Sequence, residues 1–279
     1  MLRMAVAQCL VTTEPAENGQ QIRAMIRQAH AQGARLAHFP EGAATGYPSG
    51  PAKSALAGWP LDWGAVRREL ETTAALAGEL GIWVVVGAAH PLSPPLRPHN
   101  SLYVISDEGR LVGRYDKRLL SFSEVSDWFT PGFDPLVVEV DGFRLGLALC
   151  IEINFPELFA EYERMGVDAV LVSSFSRDPV FGLLAQAHAA ANTFWVSFAT
   201  PAQCSADFPS GVAGPHGRWL AQAPGRGAAA LTRVDLDRRA PELETALHKA
   251  RGWRRRSRDG EIYRRLRTAD PRSLDHTRF

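Results

Sequence analysis

Three residues of different chemical type each follow a stretch that reads as a β-strand. Glu41 comes just after Arg35–Phe39, Lys117 closes the hairpin whose second strand is Leu111–Tyr115, and Cys150 follows the almost continuously apolar run Phe143–Leu149. In layered α/β folds the carboxyl ends of strands line the ligand crevice, so a carboxylate, an ammonium and a thiol at such ends are placed to meet. Together they are the parts of acyl transfer by a thiol. A free thiol is mostly protonated near neutral pH. A neighbouring carboxylate can take its proton, and a neighbouring ammonium favours the thiolate. The ammonium also stabilises an oxyanion, together with a backbone N–H beside the nucleophile. Taken singly, each residue has a plainer reading. Free cysteine is among the most buried residue types, Glu41 alone reads as an exposed loop acid, and Lys117 alone reads as a solvated lysine. It is the shared placement that points to chemistry.

The composition bounds the remaining choices. With 279 residues, 46% of them hydrophobic, the chain can bury one large core, and a single main domain is expected over residues 1–248. Lys+Arg 31 against Asp+Glu 30 gives a net charge of +1, which argues for neither nucleic acid nor a membrane surface as partner. The balance is uneven along the chain. Residues 249–279 hold 11 Lys+Arg and 4 Asp+Glu, a local +7 that leaves −6 for the rest. This basic C-terminal arm lacks a core-forming pattern and is expected to pack on the domain or on a partner subunit. Cys9, Cys150 and Cys204 are odd in number, widely spaced and without a CxxC pair, which fits neither a disulfide framework nor a zinc site. No run approaches a membrane span, and the short apolar start is no signal h-region, so a cytoplasmic protein is expected.

Stepping along the chain, Arg3–Gln8 reads as a strand. Ile22, Met25, Ile26 and Ala29 then share one helical face that Gly33 ends. A second strand leads to Glu41. After a Gly/Pro/Ser-rich loop from Thr45 to Pro60, Val66, Leu70, Thr73, Ala77 and Leu80 mark a second helix, followed by a strand at Ile82–Gly87. This β-α-β-α-β order is the signature of a layered α/β domain. Asn100–Ser106 with Leu111–Tyr115, and Leu136–Val140 with Phe143–Leu149, read as hairpins on Asp-Glu-Gly and Asp-Gly turns, which makes the sheets mixed. Between them runs a long aromatic loop, residues 118–135, of a length that is commonly functional. After Cys150, helices at Glu157–Met165 and Leu183–Asn192 alternate with strands at Ala169–Ser173 and Phe194–Ala199. Ser210–Gly214, Arg218–Gln222 and Ala228–Asp235 read as closing strands.

Phe39-Pro40-Glu41 with Thr45-Gly46-Tyr47, Tyr115-Asp116-Lys117, and the run from Cys150 through Ile151, Glu152, Ile153, Asn154, Phe155 and Pro156 to Glu157 resemble the three motif blocks of the nitrilase superfamily, the carbon-nitrogen hydrolases. The likeness covers nearly the whole chain. It implies an α/β fold built as a four-layer α-β-β-α sandwich with two mixed β-sheets, a Glu-Lys-Cys triad, and a homodimer or higher homo-oligomer. It implies no metal and no cofactor. Carried over residue by residue, Glu41 would be the general base and then the acid, Cys150 the nucleophile, and Lys117 with the Ile151 N–H the oxyanion site. Glu124, in the loop after the lysine, matches the second glutamate that many members carry to position substrate. The implied reaction cleaves a small amide to carboxylate and ammonia through a cysteine thioester.

Several positions depart from particular branches. True nitrilases usually follow the cysteine with Trp-Glu, and here only Glu152 is present. N-carbamoyl hydrolases tend to place an arginine close after the cysteine to clamp a carboxylate, because its planar fork binds bidentately. Ile153 and Asn154 stand there instead, with Arg177 as a substitute from a later loop. Tyr47, Trp128, Ser174 and Phe175 lie on loops expected near the mouth, as pocket walls or as packing residues. Nitrile and N-carbamoyl substrates remain alternatives that use the same triad. Two rival readings also stand: a dyad of Cys150 with His188 or His216, and an idle hydrolase fold that serves as a binding module.

Overall fold

A computed structural model describes residues 1–48, 61–277 and 279. The loop expected up to Pro60 therefore falls largely outside the described residues. Strand β1 (Leu2–Gln8) is buried along almost its whole length, which explains why its sequence is apolar without strict alternation. Helix α1 (Pro15–Ala31) starts with proline in its first turn and buries Ile22, Met25, Ile26 and Ala29, the face expected from spacing. Strand β2 (Leu36–His38) is short. Helix α2 (Trp63–Leu80) is capped by the Asp62 side chain and ends at Gly81, in the left-handed conformation that glycine adopts without steric cost. Strand β3 runs Trp83–His90, three residues further than its apolar pattern suggested. β4 (His99–Ile105) and β5 (Leu111–Asp116) form the expected hairpin.

The second half repeats the arrangement. β6 (Val137–Val140) and β7 (Phe143–Leu149) form a hairpin, followed by helix α3 (Pro156–Arg164), β8 (Ala169–Ser173), helix α4 (Val180–Asn192) and β9 (Trp195–Ala199). Helix α4 starts three residues earlier than its periodicity indicated, because the Asp178 carboxylate accepts the Val180 N–H at 3.0 Å. β10 (Gly211–Ala213), β11 (Trp219–Gln222) and β12 (Ala230–Leu236) complete the described strands.

The strands assemble into two six-stranded sheets, ordered β12-β1-β2-β3-β4-β5 and β11-β10-β9-β8-β7-β6. Both are mixed in the same pattern: β1-β2-β3 and β7-β8-β9 are parallel, and every other pair is antiparallel. Alternation along the strands then sorts the core into three layers. Leu2, Leu36, Val85, Leu102, Leu147, Leu171 and Trp195 fill the space between the sheets. Val84, Val86 and Ala88 face α1 and α2, while Val170, Val172 and Val196 face α3 and α4. The result is a four-layer α-β-β-α sandwich. Among the described residues, no helix is long and apolar enough to cross a membrane.

Beyond the sandwich, helix α5 (Arg251–Asp259) carries the start of the basic arm and buries no residue of its own. Its arginines instead reach the carboxyl ends of α3 and α4. Arg251 donates to the Val167 carbonyl and Arg254 to the Ala190 carbonyl. Arg258 donates to the Ala191 carbonyl at 2.9 Å, and Arg255 and Arg258 pair with the buried Glu163 at 3.4 and 3.0 Å. Cations at helix carboxyl ends are stabilised by the exposed carbonyls and the helix dipole.

His38 ties the two sheets together. It stands fully buried on β2, with Nδ1 2.9 Å from the Ser197 hydroxyl of β9 and Nε2 2.9 Å from the Ser173 hydroxyl of β8. Ser173 has one hydroxyl proton and gives it to the Phe39 carbonyl at 2.8 Å. Nε2 must therefore carry the imidazole proton, and Nδ1 accepts from Ser197. Burial drives the His38 pKa down to about 3. Because this lies below the unfolded value of about 6.5, the unfolded state binds the extra proton in between; the stability is complete above pH 6.5 and is lost as pH falls toward 3. We expect the wild type to lose about 1.4 kcal/mol more per pH unit than His38→Gln across that window. Denaturant unfolding at stepped pH measures this, and parallel curves for the two proteins would refute it.

Candidate active site

The three chemically distinct residues meet at one end of the sandwich, and they come from both sheets. Glu41 follows β2 by way of Phe39 and Pro40. The backbone there lies against β3 so closely that a Cβ at Gly87 would sit 2.3 Å from the Pro40 carbonyl oxygen and 2.8 Å from the Gly42 nitrogen. Only a residue without a side chain admits that approach. The Glu41 carboxylate is fully buried and accepts from Asn100 Nδ2 at 2.7 Å, Lys117 Nζ at 3.0 Å and the Phe175 N–H at 2.8 Å.

Lys117 extends from the end of β5 into the same space with its ammonium fully buried. Its Nζ bonds Glu41 and both oxygens of Glu124, the latter at 2.7 and 2.9 Å. Glu124 opens a π-helical turn, Glu124–Trp128, inside the segment read as an irregular loop. Such single-turn π segments are frequent at functional sites. This turn aims a buried carboxylate inward, where Glu124 also accepts from Tyr47 Oη at 3.0 Å, Asn100 Nδ2 at 3.2 Å and the Ser121 N–H at 2.8 Å.

Cys150 comes from the other sheet. β7 ends at Leu149, and Cys150 opens a 3-10 turn, Cys150–Asn154, with φ of +50°. A non-glycine residue at positive φ is strained, and such strain persists only where the surroundings over-determine it. The Ser174 hydroxyl at the end of β8 donates to Cys150 Sγ at 3.4 Å.

The electrostatics separate the two carboxylates. Burial pushes Glu41 up, Lys117 pulls it back, and the negative charge of Glu124 raises it again, so it rests above the ordinary carboxylate range. Burial also pushes on Glu124, but the Lys117 charge and hydrogen bonds from Lys117 and Ser121 prevail and hold it below that range. For Lys117, desolvation alone would favour the neutral amine. The charges of Glu41, Glu124 and Cys150 override it and keep the ammonium. The Cys150 thiol is raised by burial and by Glu41, against the pull of Lys117, so it rests protonated beside a carboxylate with raised proton affinity. The two carboxylates are thus pushed in opposite directions, an arrangement that suits proton transfer at one and fixed charge at the other.

The other residues singled out from sequence fall in different places. Phe175 and Tyr47 are half-buried and stacked, with ring centroids 5.0 Å apart, and Trp128 meets Tyr47 edge-on at 6.2 Å. Trp128 is buried and packs with Ala89 and Phe129. Ser174 stands next to the thiol and is fully buried. Ile151 is half-buried, and its amide directly follows Cys150. Arg177 is exposed, and its charge pulls against the burial that raises the Cys204 thiol. The histidines of the rival dyad bond elsewhere: His188 Nε2 is held by the Ile153 carbonyl at 2.8 Å with its ring stacked on Phe159, and His216 Nδ1 accepts from the Arg218 N–H. Sequence reading missed Asn100, which donates to both glutamates, and Glu152, whose carboxylate is fully buried. A polar side chain at the inward position of a buried strand was the available signal for Asn100. Among the described residues, no group of three His, Cys, Asp or Glu could hold a metal ion.

The fold matches known proteins. The carbon-nitrogen hydrolase family model matches residues 3–241, and the chain belongs to that family. A protein of Mycobacterium tuberculosis named as a hydrolase is 33% identical over 236 residues, covering 76% of this chain and 80% of its own. The deaminated glutathione amidase of Rattus norvegicus is 29% identical over 185 residues, 61% of this chain and 55% of its own. Among solved structures, an amidase from Nesterenkonia superposes with a TM-score of 0.75 at 23% identity, covering 91% of this chain and 99% of that one. A variant of it, with acrylamide joined to the active site cysteine by Michael addition, gives 0.72 at 25% identity, covering 91% and 100%.

Two outcomes follow from the geometry. Gly87→Ala forces Pro40-Glu41 away from β3, and a displacement of about 1 Å at a reacting group costs on the order of 100-fold in kcat/KM. A rate within threefold of wild type would show that Glu41 tolerates the shift. Removing the charge with Glu124→Gln takes away a repulsion that raises Glu41, so the acid limb of the kcat/KM profile should move to lower pH; an upward or absent shift would contradict the assignment.

Proposed function

We propose that this carbon-nitrogen hydrolase is an amidase that cleaves a small carboxamide to a carboxylate and ammonia, with Cys150 as nucleophile and Glu41 as the proton carrier. The observation that carries the reading is the buried Glu41–Lys117–Glu124 cluster set against a thiol on a strained turn. Cys150 Sγ attacks the amide carbon while its proton passes to Glu41, whose raised proton affinity suits it to receive and return that proton. The tetrahedral oxyanion faces the Lys117 ammonium and the Ile151 N–H. Glu41 then protonates the nitrogen, the C–N bond breaks, and ammonia departs, leaving a thioester. Water gives a proton to Glu41 and attacks the thioester. Collapse returns that proton to the sulfur and releases the carboxylic acid.

Glu124 holds the lysine and offers a second carboxylate to the substrate amide. A carboxamide brings N–H donors that two glutamates can accept, whereas a nitrile brings none, which favours the amide over the nitrile alternative. Tyr47 and Phe175 would wall the acyl side. The solved amidase with acrylamide on its cysteine, and the amidases among the sequence relatives, support the reading.

A panel of short aliphatic and aromatic amides, their nitriles and N-carbamoyl amino acids, assayed for ammonia, tests it. We expect amides to lead. Cys150→Ala should show no turnover with an intact fold, and Glu41→Gln should lose about 100- to 10,000-fold. A nitrile or carbamoyl compound turned over faster than every amide would overturn the substrate class. A fully active Cys150→Ala would overturn the mechanism.

A further inference from the structure

The Lys117 ammonium and the Ile151 N–H can meet one oxyanion only if two elements from different sheets keep a fixed distance, and the Glu152 side chain joins them. Glu152 lies two residues after Cys150, inside the 3-10 turn, and is fully buried. Its Oε2 reaches back to the Leu149 N–H at 2.7 Å, just before the nucleophile. Its Oε1 crosses to the other sheet, accepting the Arg118 N–H at 2.7 Å and the Leu119 N–H at 3.0 Å, while the Tyr115 hydroxyl lies 2.9 Å from both oxygens. These partners bracket Lys117, at two residues before it and one and two after it. The three backbone N–H groups can only donate, and their hydrogen bonds with that of Tyr115 favour the carboxylate against the upward push of burial on its pKa. Such a hub is bonded on one side to the backbone that holds Cys150 at positive φ and on the other to the backbone that carries the ammonium.

We propose that Glu152 is a positioning residue that locks the Cys150 turn to the Lys117 strand end, so that the Ile151 N–H and the ammonium converge on the same oxygen. The inference rests on the oxyanion roles given above. It makes a specific demand: the loss must appear where the oxyanion exists, in the transition state, and not in the affinity for a planar amide.

Glu152→Gln keeps the shape but turns an NH2 group toward N–H or O–H donors, whichever oxygen it replaces. Competent sites are counted in each protein by iodoacetamide labelling of Cys150, mapped by mass spectrometry, a readout that requires no substrate turnover. Per labelled site, we expect kcat on the best amide to fall about 100-fold with KM within about threefold. Affinity for the matching aldehyde should weaken by a similar factor. The aldehyde adds to the thiol, with sulfur bonding to the carbonyl carbon and the thiol proton passing to the new hydroxyl oxygen or to Glu41, and so reproduces the tetrahedral geometry. A kcat per labelled site within threefold of wild type, or a change confined to KM, would overturn the proposal, since a merely structural role lowers the number of labelled sites and not the rate of each. Should Glu152→Gln fail to fold, Tyr115→Phe removes one donor to the hub, and we expect a three- to tenfold fall in kcat; unchanged kcat and aldehyde affinity would overturn it. If the wild type labels at Cys150 and binds the aldehyde but hydrolyses no amide, the amidase reading has failed, and the aldehyde affinities of the variants still decide the role of Glu152.

Discussion

Everything in this molecule bears on one fully buried ammonium. Lys117 Nζ hydrogen-bonds Glu41 and Glu124 at once with no solvent exposure. Moving a charge out of water costs several kcal/mol even after relaxation, and it is tolerated only when the partners are close and well satisfied. The cluster meets that condition through many contributors: Asn100 bonds both carboxylates, Tyr47 and Ser121 bond Glu124, and the Phe175 amide bonds Glu41. These donors lie on four separate parts of the chain. The cluster is therefore satisfied only when the loop after β2, strand β4, the segment leading into the π-helical turn and the loop after β8 are all in place around Lys117, which makes the charged centre and the fold mutually dependent.

The sheet-to-sheet spacing is the quantity this dependence must hold constant. Glu41 and Lys117 belong to one sheet, and Cys150 and Ser174 to the other. Between them the core is apolar, and apolar contact by itself specifies distance but hardly register. Polar ties supply the register. His38 bridges to Ser173 and Ser197, Tyr115 reaches Glu152, and Gln8 on β1 accepts the Ser210 N–H at 3.0 Å beside β10. Each tie joins a strand of the first sheet to an element of the second. A sandwich made only of leucine and valine could slide by a residue at modest cost. This one would strand a buried histidine, tyrosine or glutamine if it did.

That division explains what could be read from sequence. Hydrophobic periodicity and turn residues are local signals, and they located α1, the hairpins and the strand ends that carry Glu41, Lys117 and Cys150. The sandwich and the separate roles of those residues came through resemblance of three blocks, since pairing between strands distant in sequence leaves no local trace. β12 illustrates the limit. Its residues read as a closing strand, yet it returns to the first sheet and pairs antiparallel with β1, Leu2 opposite Leu236. Asn100 and the cross-sheet reach of Glu152 went unrecognised for a similar reason: Glu41, and the Arg118 amide, lie tens of residues away. The π-helical turn at Glu124 was too short for any period to register.

The asymmetry between the two glutamates has a physical origin that no motif states. Glu124 accepts the Lys117 ammonium on both oxygens, together with donors from Tyr47, Asn100 and Ser121. Glu41 takes the same lysine and Asn100 on one oxygen and has a single backbone donor on the other. More donors favour the ionised form, so the better-solvated glutamate keeps its charge, and that charge in turn raises its neighbour. One lysine thus sustains two carboxylates of opposite character: a permanent anion that anchors the ammonium, and a poorly compensated one that can gain and lose a proton. The difference lies in burial, neighbouring charge and hydrogen bonding rather than in residue type, and so one kind of side chain takes two characters around one lysine.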